Sequence, residues 1–363
     1  MKKTFLLVMM TYAFGLYSTP HALFKKVASP LKGEAVVSDV QALTLVADDT
    51  AHFLKKVSKS NFVKVDNGVF DHHMFTIDDV QETAEFIANV GKKNPKLLKS
   101  AWFYNEYFDF YWWHADDKML QKIPAPPRGW GKPPEYIRTT TYRACKVHGS
   151  PVKTKYYTCP LYMLPSDEKG KTPDYVRAHR QDLVRFTYTF DQIKQGVLEK
   201  STLTMPLAWL DHHDYKEFTI QGTVKVVFED GKEQILRVAG SNGKTGEEKY
   251  WFASPVVYKD PRMSKHPLKV EPQPEVSFAG NFKELGFGKV ILLRGWNKER
   301  ERLETRIGLL VDTGEAFKGN LYQLDIFTGY FDSKEEYHQK VKGYPHTAQA
   351  YILIKKKNKT LKL

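Results

Sequence analysis

Apolar residues recur at helical spacing in two stretches of the first third of the chain. The first covers residues 39–57 and ends in lysines, which favour a helix C-terminus. The second covers residues 76–93, where Thr76 or Asp78 can cap the first turn. The spacing therefore predicts that residues 23–135 are mainly helical and pack on a following domain.

From residue 136 onward the pattern changes to short segments in which apolar and polar residues alternate. Gly, Pro, Asn and Asp separate these segments, and "EDGK" is typical of a hairpin turn, so we predict a small closed sheet over residues 136–260. One helix, at residues 190–200, interrupts the strands. The stretch 216–230, "KEFTIQGTVKVVFED", is predicted to be part of the sheet.

Strands return in the last part of the chain, residues 261–363, with one helix near 333–341. Pro-rich segments at 122–136 and 259–276 mark the boundaries on either side of the middle region. The order predicts a mainly β protein with N-terminal helices, in which residues 136–260 form a β domain inserted between two halves of another domain.

The composition is that of a folded protein: 363 residues, 42% hydrophobic and 13% aromatic. An aromatic run at residues 102–114 would serve either as core or as a glycan-facing surface. Lys and Arg exceed Asp and Glu by 13 charges. Such an excess favours polyanionic surroundings, whether nucleic acid, acidic lipid or an acidic polymer, and the sign of the charge does not choose among them.

The N-terminal segment has the layout of a secretory signal. Lys2 and Lys3 precede an apolar run, and small and turn-forming residues follow it up to Ala22. The run is too short to anchor a chain in a bilayer. We therefore predict that residues 1–22 are a signal peptide and that the protein is exported. Export argues against nucleic acid as a partner, and no motif supports one.

Cysteine and histidine are the other residue types in the chain that could carry chemistry. Cys145 and Cys159 flank the turn signal "HGSP", so a cross-strand disulfide in one hairpin is one prediction, and two buried free thiols are the alternative. The pairs His72–His73 and His212–His213 could bind zinc. Neighbouring strand residues point in opposite directions, however, and neither pair has a partner at ligand spacing, so no metal or cofactor is predicted.

The segment "DTGEAFKGNLYQLDIFTGY", residues 312–330, is the least ordinary part of the chain, because it places two Asp residues around a Gly-rich turn. It resembles the end of the membrane-bound lytic transglycosylase A (MltA) family, the three-Asp domain. Stretches beginning at Thr140, Phe190 and Val276 resemble three further family segments in the same order. The resemblance implies a double-psi β-barrel domain, at residues 261–363, with a groove between it and the inserted β-barrel domain.

The resemblance also implies an activity: cleavage of the MurNAc–GlcNAc β-1,4 bond of peptidoglycan without water, which leaves a 1,6-anhydro sugar. Asp325 matches the family's catalytic Asp, and Asp312 matches a second acid that supports it. One acid suffices because the nucleophile is the sugar's own C6 hydroxyl group, whereas ordinary glycosidases use two carboxylates. Apolar neighbours and a like charge would favour the protonated form that an acid catalyst needs.

Four residues in the matched segments are implied to bind substrate. Tyr142 would stack on a sugar ring or belong to the core, and Gln221 and Asn242 would bond sugar hydroxyls or hold strand ends and turns. Lys318 would bind carboxylates of the peptide stem or the lactyl group, or remain a solvated turn residue. The partner implied is a peptidoglycan glycan strand, bound by a monomer in the periplasm or cell envelope of a Gram-negative bacterium, with peripheral association with membrane or wall left open.

The chain departs from the family pattern at several positions. Asn281 stands at the position of the third Asp, and Arg143, Ala144 and Cys145 replace a Tyr-Glu-Pro sequence. Two hypotheses follow from these changes. The protein is either a divergent lytic transglycosylase or a peptidoglycan-binding protein that has the same groove and no turnover.

Overall fold

The structure is a computed structural model, and it describes residues 23–33, 36–57, 76–114, 136–256, 270–314, 317, 320 and 322–361. Three of the sequence predictions lie outside the described residues: the signal peptide at 1–22, the pair His72–His73, and Lys318.

The described part of the chain contains thirteen strands and nine α-helices. The strands are β1 (Leu23–Val27), β2 (Phe108–His114), β3 (Ile137–Ser150), β4 (Cys159–Tyr162), β5 (Pro206–Leu210), β6 (Thr223–Phe228), β7 (Glu233–Ser241), β8 (Trp251–Pro255), β9 (Ser277–Ala279), β10 (Val290–Asn297), β11 (Arg302–Asp312), β12 (Gln323–Phe331) and β13 (Thr347–Lys355). The helices are α1 (Val40–Val57), α2 (Ile77–Lys93), α3 (Ala101–Tyr107), α4 (Pro173–Ala178), α5 (Val184–Thr187), α6 (Phe190–Lys194), α7 (His212–Gln221), α8 (Phe282–Leu285) and α9 (Lys334–Val341).

The two predicted N-terminal helices are confirmed as α1 and α2. Helix α2 begins at a capping box, in which Thr76 Oγ1 accepts a hydrogen bond from the Asp79 amide and Asp79 Oδ2 accepts one from the Thr76 amide. Buried residues of both helices, such as Leu43 and Ile87, share a core with Leu309 of β11. The helices therefore cover one side of the C-terminal sheet.

The aromatic run at 102–114 forms α3 and β2, and most of it is core. Phe103, Phe108 and Trp113 are fully or almost fully buried, whereas Trp102 is exposed. Strand β2 pairs with β13, so this segment extends the C-terminal sheet. Residues 23–114 therefore supply strands to that sheet as well as helices.

Six strands close into a first barrel. Its order is β3, β13, β10, β11, β9 and β12, and β12 returns to β3 in parallel pairing. Its interior holds a cluster of buried aliphatic residues from these strands, among them Ile291, Leu310, Leu324 and Ile352. This barrel carries both acids of the 312–330 segment.

The second half of β3 leaves the first barrel and enters another. There β3 pairs with β6 and β5, and the order continues from β6 through β7 to β8. A bridge between Met163 and Ala253 links β8 to the end of β4, which pairs with β5. A separate core fills this second barrel, with Val226, Phe218 and Phe252 fully buried. The prediction of a mainly β protein with N-terminal helices is confirmed, and one long strand joins the two barrels.

The prediction that residues 216–230 belong throughout to a sheet is wrong. The first part of this stretch is helix α7, because the Asp211 side chain caps the helix start by accepting from the Asp214 amide. Gly222 ends the helix with a left-handed backbone (φ 73°), a conformation that glycine adopts without a steric cost. Strand β6 begins only at Thr223.

The predicted disulfide between Cys145 and Cys159 is not formed; both thiols are buried and free. The cysteines do not face each other across a hairpin, since β5 lies between β3 and β4. Cys145 instead donates to Glu217, and Cys159 lies near His212. Separately, none of the helices in the described ranges combines the length and the apolar character needed to cross a membrane.

Candidate active site

The two acids of the 312–330 segment lie on either side of one short strand. Asp312 at the end of β11 and Asp325 in β12 are both in register with Ala279 of β9. Residues in register across a sheet project to the same face, and neighbouring strands lie about 4.8 Å apart. The sheet therefore brings together two carboxyl groups that are thirteen positions apart in the sequence.

Asp325 is half-buried and is held by neutral hydrogen-bond donors. Its Oδ1 accepts from Gln323 Nε2 at 2.7 Å and from the hydroxyl group of Thr140, which is in register with it on β3. Among the described residues, no Lys or Arg forms an ion pair with this carboxyl group. The described residues that bond to Asp325 are thus polar and uncharged.

Asp312 has a different set of partners. Tyr142 donates its hydroxyl proton to Asp312 Oδ2 at 2.8 Å, and the Thr313 amide donates to Oδ1 at 2.9 Å. Arg237 Nη2 lies 3.7 Å from the same Oδ1, and both side chains are mostly buried. Because Arg237 belongs to β7, this ion pair links the second barrel to the first.

Tyr142 therefore contacts the site through its hydroxyl group, and its ring packs against Phe327 at 5.2 Å between centroids. Burial, followed by the charge of Asp312 and the hydrogen bond to it, raises the pKa of Tyr142 well above its ordinary value. The phenol is thus a hydrogen-bond donor at neutral pH. The residue as a whole is partly exposed.

A third carboxyl group, which the sequence reasoning missed, lies near Arg237. Glu271 accepts a hydrogen bond from the hydroxyl group of Tyr330 at 3.4 Å. Burial is the largest influence on Glu271 and raises its pKa to about 7, although Tyr330 and the charges of Lys225 and Arg237 oppose the shift. No local sequence signal marks Glu271, because its setting depends on strands β6, β7 and β12.

The other predicted site residues are placed as follows. Asn281 is buried and follows β9 by two residues, close to the strand position that both acids share. Gln221 is the last residue of α7 and precedes Thr223, whose hydroxyl group accepts from Arg237 Nε at 3.2 Å. Both therefore lie on segments that lead into the site.

Asn242 does not remain a candidate for sugar binding. Its Nδ2 donates to the carbonyl groups of Tyr188 and Glu248, each at 2.9 Å, and its Oδ1 accepts from the amides of Lys244 and Tyr250. All four hydrogen-bonding positions of the amide are occupied by the main chain. The side chain is also 1% exposed. Asn242 holds the turn between β7 and β8.

A buried ion pair includes Arg143, which lies in the segment that departs from the resembled Tyr-Glu-Pro pattern. Arg143 Nη2 lies 3.3 Å from Glu217 Oε2, and the thiol of Cys145 donates to the same oxygen at 3.1 Å. Burial is the main cause that raises the pKa of Cys145 to about 12, so the thiol is protonated. The three side chains satisfy one another and fix α7 on β3.

One cluster in the described chain has three groups of the kinds that bind metals: Asp211, His213 and Asp214, whose ligand atoms lie within 4.8 Å of one another. Structural hydrogen bonds account for both carboxylates. Asp211 caps α7, and Asp214 Oδ2 accepts from the His148 amide at 3.1 Å. We therefore assign this cluster to the helix N-terminus.

The fold and the site define a class: a two-barrel protein in which strands of one barrel carry paired acids at the junction with the other. Comparisons with known proteins agree. Residues 138–248 match the family model described as the MltA specific insert domain. A search of curated proteins finds no match. The chain therefore contains a segment similar to the MltA specific insert domain, and it shares its fold with solved lytic transglycosylase structures.

Solved structures show the same fold at low sequence identity. A membrane-bound lytic murein transglycosylase from Agrobacterium tumefaciens is 16% identical, with a TM-score of 0.53 over 88% of this chain and 93% of that one. MltA from E. coli with bound chitohexaose is 16% identical, with a TM-score of 0.50 over 95% and 97%. MltA from Neisseria gonorrhoeae is 15% identical, with a TM-score of 0.51 over 94% and 97%.

Proposed function

We propose that this protein is a lytic transglycosylase that cleaves the MurNAc–GlcNAc β-1,4 bond of peptidoglycan and leaves a 1,6-anhydro sugar. The setting of Asp325 carries the proposal. Its carboxyl group is half-buried, receives two neutral donors and, within the described residues, has no ion-pair partner. A carboxyl group in such a setting can both give and take a proton, as single-residue acid–base catalysis requires.

The chemistry balances with one carboxyl group. Asp325 donates its proton to the glycosidic oxygen, and the bond between that oxygen and C1 of MurNAc breaks. The C6 hydroxyl oxygen of the same sugar then attacks C1, and the Asp325 carboxylate accepts the hydroxyl proton. Asp325 regains its starting form, and no water is consumed. Because the nucleophile belongs to the substrate itself, the attack has the advantage of an intramolecular reaction.

Asp312 supports this chemistry without taking part in either proton transfer. Tyr142 and Arg237 hold its carboxylate beside the shared strand position at Ala279. A fixed negative charge near the sugar would stabilise the positive charge that develops at C1 as the glycosidic bond breaks. Asn281, at the family's third Asp position, supplies a polar amide there and no charge.

The proposed substrate lies across the junction of the two barrels, with Tyr142 and Gln221 beside it. Lys318, which lies outside the described residues, remains a proposed contact for substrate carboxylates. The proposed division is a helical part at 23–135, an insert at 136–260 and the three-Asp barrel at 261–363. We further propose that the protein acts as a monomer after export to the periplasm or cell envelope, with peripheral association with membrane or wall.

A second candidate function is peptidoglycan binding without turnover. The buried Arg143–Glu217 pair favours it, because this pair stands where the family has a different sequence next to the strand that carries Thr140 and Tyr142. Asn281 in place of an acid favours it as well. Under this alternative the groove would hold the glycan, and Asp325 would act only as a hydrogen-bond acceptor.

Digestion of purified peptidoglycan sacculi, followed by mass spectrometry of the products, distinguishes the two functions. We expect 1,6-anhydromuropeptides from the wild-type protein. Asp325→Asn removes the proton donor and should lower their rate of release by about 100-fold or more. Asp332→Asn is the matched control: Asp332 follows the same strand, is exposed, pairs with Lys146 and should leave the rate unchanged. Binding of sacculi by the wild-type protein with no released products would establish the alternative.

A further inference from the structure

Gln323 occupies a position that the chemistry above does not use. It lies two residues before Asp325 on β12, so both side chains project to the same face of the strand. Its Nε2 is 2.7 Å from Asp325 Oδ1 and 3.2 Å from Thr140 Oγ1. The three side chains thus form a closed triangle in which the amide contacts both the acid and the acid's other donor.

We propose that Gln323 is a positioning residue for Asp325, which together with Thr140 occupies Oδ1 and directs the transferable proton to Oδ2. The inference rests on the proposed role of Asp325 as acid and base. It adds to that role a specific atom, Oδ2, as the one that exchanges the proton with substrate.

Hydrogen-bond capacity supports the assignment. A carboxyl oxygen has two lone pairs, and both lone pairs of Oδ1 are taken by the Gln323 amide and the Thr140 hydroxyl group. A proton placed on Oδ1 would break one of these bonds and leave a half-buried donor unsatisfied. Oδ2 has no hydrogen-bond partner among the described residues, so a proton there costs no bond.

The triangle also fixes the direction of each donor. Because Thr140 Oγ1 accepts from the Gln323 amide, its own proton is free to point at Asp325. Asn320 Nδ2 donates to Gln323 Oε1 at 3.0 Å, and this bond orients the Gln323 amide with its nitrogen toward the acid. Asn320 therefore contributes through Gln323 and does not touch the carboxyl group.

Among the described residues, the charged and titratable groups on the strands around the triangle include Arg138 and Tyr142 on β3, Asp312 on β11 and Arg237 on β7. A neutral replacement of Gln323 changes none of them. Gln323→Met keeps the length of the side chain and removes only its donor and acceptor. The matched control is Gln349→Met, since Gln349 is a half-buried strand residue of the same barrel, bonded to Arg294 at 3.4 Å.

The first test is NMR of the side-chain amide of Gln323 in the full-length protein labelled with nitrogen-15. Its resonances are assigned by their loss in Gln323→Met. We expect them to shift with pH in the wild-type protein and to lose that dependence in Asp325→Asn, while the Gln349 amide stays unchanged. Gln323 amide resonances that do not shift with pH, or that shift equally in Asp325→Asn, would overturn the inference.

The second test is the pH–rate profile on sacculi. Loss of a donor to the carboxylate form should move the alkaline limb of Gln323→Met to higher pH and lower the rate by about 10- to 100-fold. Asn320→Leu should give a smaller change of the same sign, and Gln349→Met none. A rate loss in Gln323→Met with an unmoved profile would mean a structural role only and would contradict the proposal.

The two failures can be told apart. If the wild-type protein releases no anhydro products, the proposed function fails, and the NMR titration still decides whether Gln323 is coupled to Asp325. If products form but the Gln323 amide resonances show no pH dependence that Asp325→Asn removes, the inference fails and the proposed function stands.

Discussion

The two acids at the barrel junction are held in contrasting ways. Asp325 is bonded by Thr140 and Gln323, both neutral and both from strands of the first barrel. Asp312 is bonded by Tyr142 and paired with Arg237, which comes from the second barrel. Within the part of the chain that the structure describes, Asp325 is positioned by one barrel and without a cation, whereas Asp312 is held by a cation from the other barrel.

The contrast indicates a division of labour. A carboxyl group among neutral donors can give up and regain a proton without breaking an ion pair, and a carboxylate paired with arginine is better suited to fixed electrostatic support. The two acids should also differ in how they respond to movement of the second barrel. A shift of the second barrel would alter the surroundings of Asp312 first, because only that acid depends on a contact from β7.

Removing the cation beside Asp312 should have the largest effect on the rate among the changes to the surroundings of the two acids. Arg237→Leu leaves Asp312 with two partners, the Tyr142 phenol and the Thr313 backbone amide. Without the ion pair the carboxylate can move, and it can compete with the glycosidic oxygen for the proton of Asp325. We expect the rate of anhydro-product release to fall by about 10- to 100-fold. The rate is measured on sacculi, beside Lys146→Met as a control that breaks the exposed pair with Asp332. An unchanged rate would show that Asp312 does not depend on the second barrel.

The second prediction is that Glu271, near Arg237, makes the free energy of unfolding depend on pH. Its pKa of about 7 in the folded protein is above the ordinary 4.5, so its contribution to stability is present below pH 4.5 and is lost as pH rises through 7. Glu271→Gln removes this loss. Between pH 4.5 and 8 the variant should gain about 1–3 kcal/mol in free energy of unfolding relative to the wild-type protein, measured by urea denaturation.

Glu275 provides a control of opposite sign for that measurement. Burial would raise its pKa, but Arg306 and Lys340 outweigh burial and lower it to about 2. Its contribution to stability is present above pH 4.5 and is lost as pH falls through 2. Glu275→Gln should therefore destabilise the protein at neutral pH. A Glu271→Gln variant with the same pH dependence as Glu275→Gln would refute the account of Glu271.

The smallest expected effect is that of the phenol. Tyr142→Phe removes one hydrogen bond to Asp312 and keeps the ring against Phe327, so we expect a cost of about 1 kcal/mol, or a few-fold in rate. The change should be smaller than that of Arg237→Leu in the same assay. A loss as large as that of Asp325→Asn would assign Tyr142 a direct part in the chemistry.

Much of the fold could be predicted from the sequence, because its signals are local. Helices α1 and α2 follow from apolar spacing and a capping Thr76, and the short strands follow from alternation and turn residues. Helix α7 was missed because Phe218 and Ile220 alternate with polar residues as in a strand. The segment is helical because Asp211 caps its first turn and Gly222 ends its last turn.

Some residues of the site could likewise be predicted from local sequence signals, and others could not. Asp312 and Asp325 could be found because they lie in one recognisable segment, and the alternation of β12 places Gln323 on the face of Asp325. Arg237 and Glu271 could not be found, since Arg237 of β7 reaches Asp312 of β11 only across the junction of the two barrels, and Glu271 depends on Tyr330 of β12. Asn242 illustrates the converse: a residue in a matched segment whose amide is wholly used by a turn.

The central claim is that one carboxyl group handles both proton transfers and that water takes no part. Digestion of sacculi in water enriched in the heavy oxygen isotope tests it most directly, with the label read by mass spectrometry of the new sugar ends. We predict anhydro ends without label. Reducing ends that carry the label would mean hydrolysis, which needs a second carboxylate to activate water, and would contradict the assignment of Asp312 to electrostatic support alone.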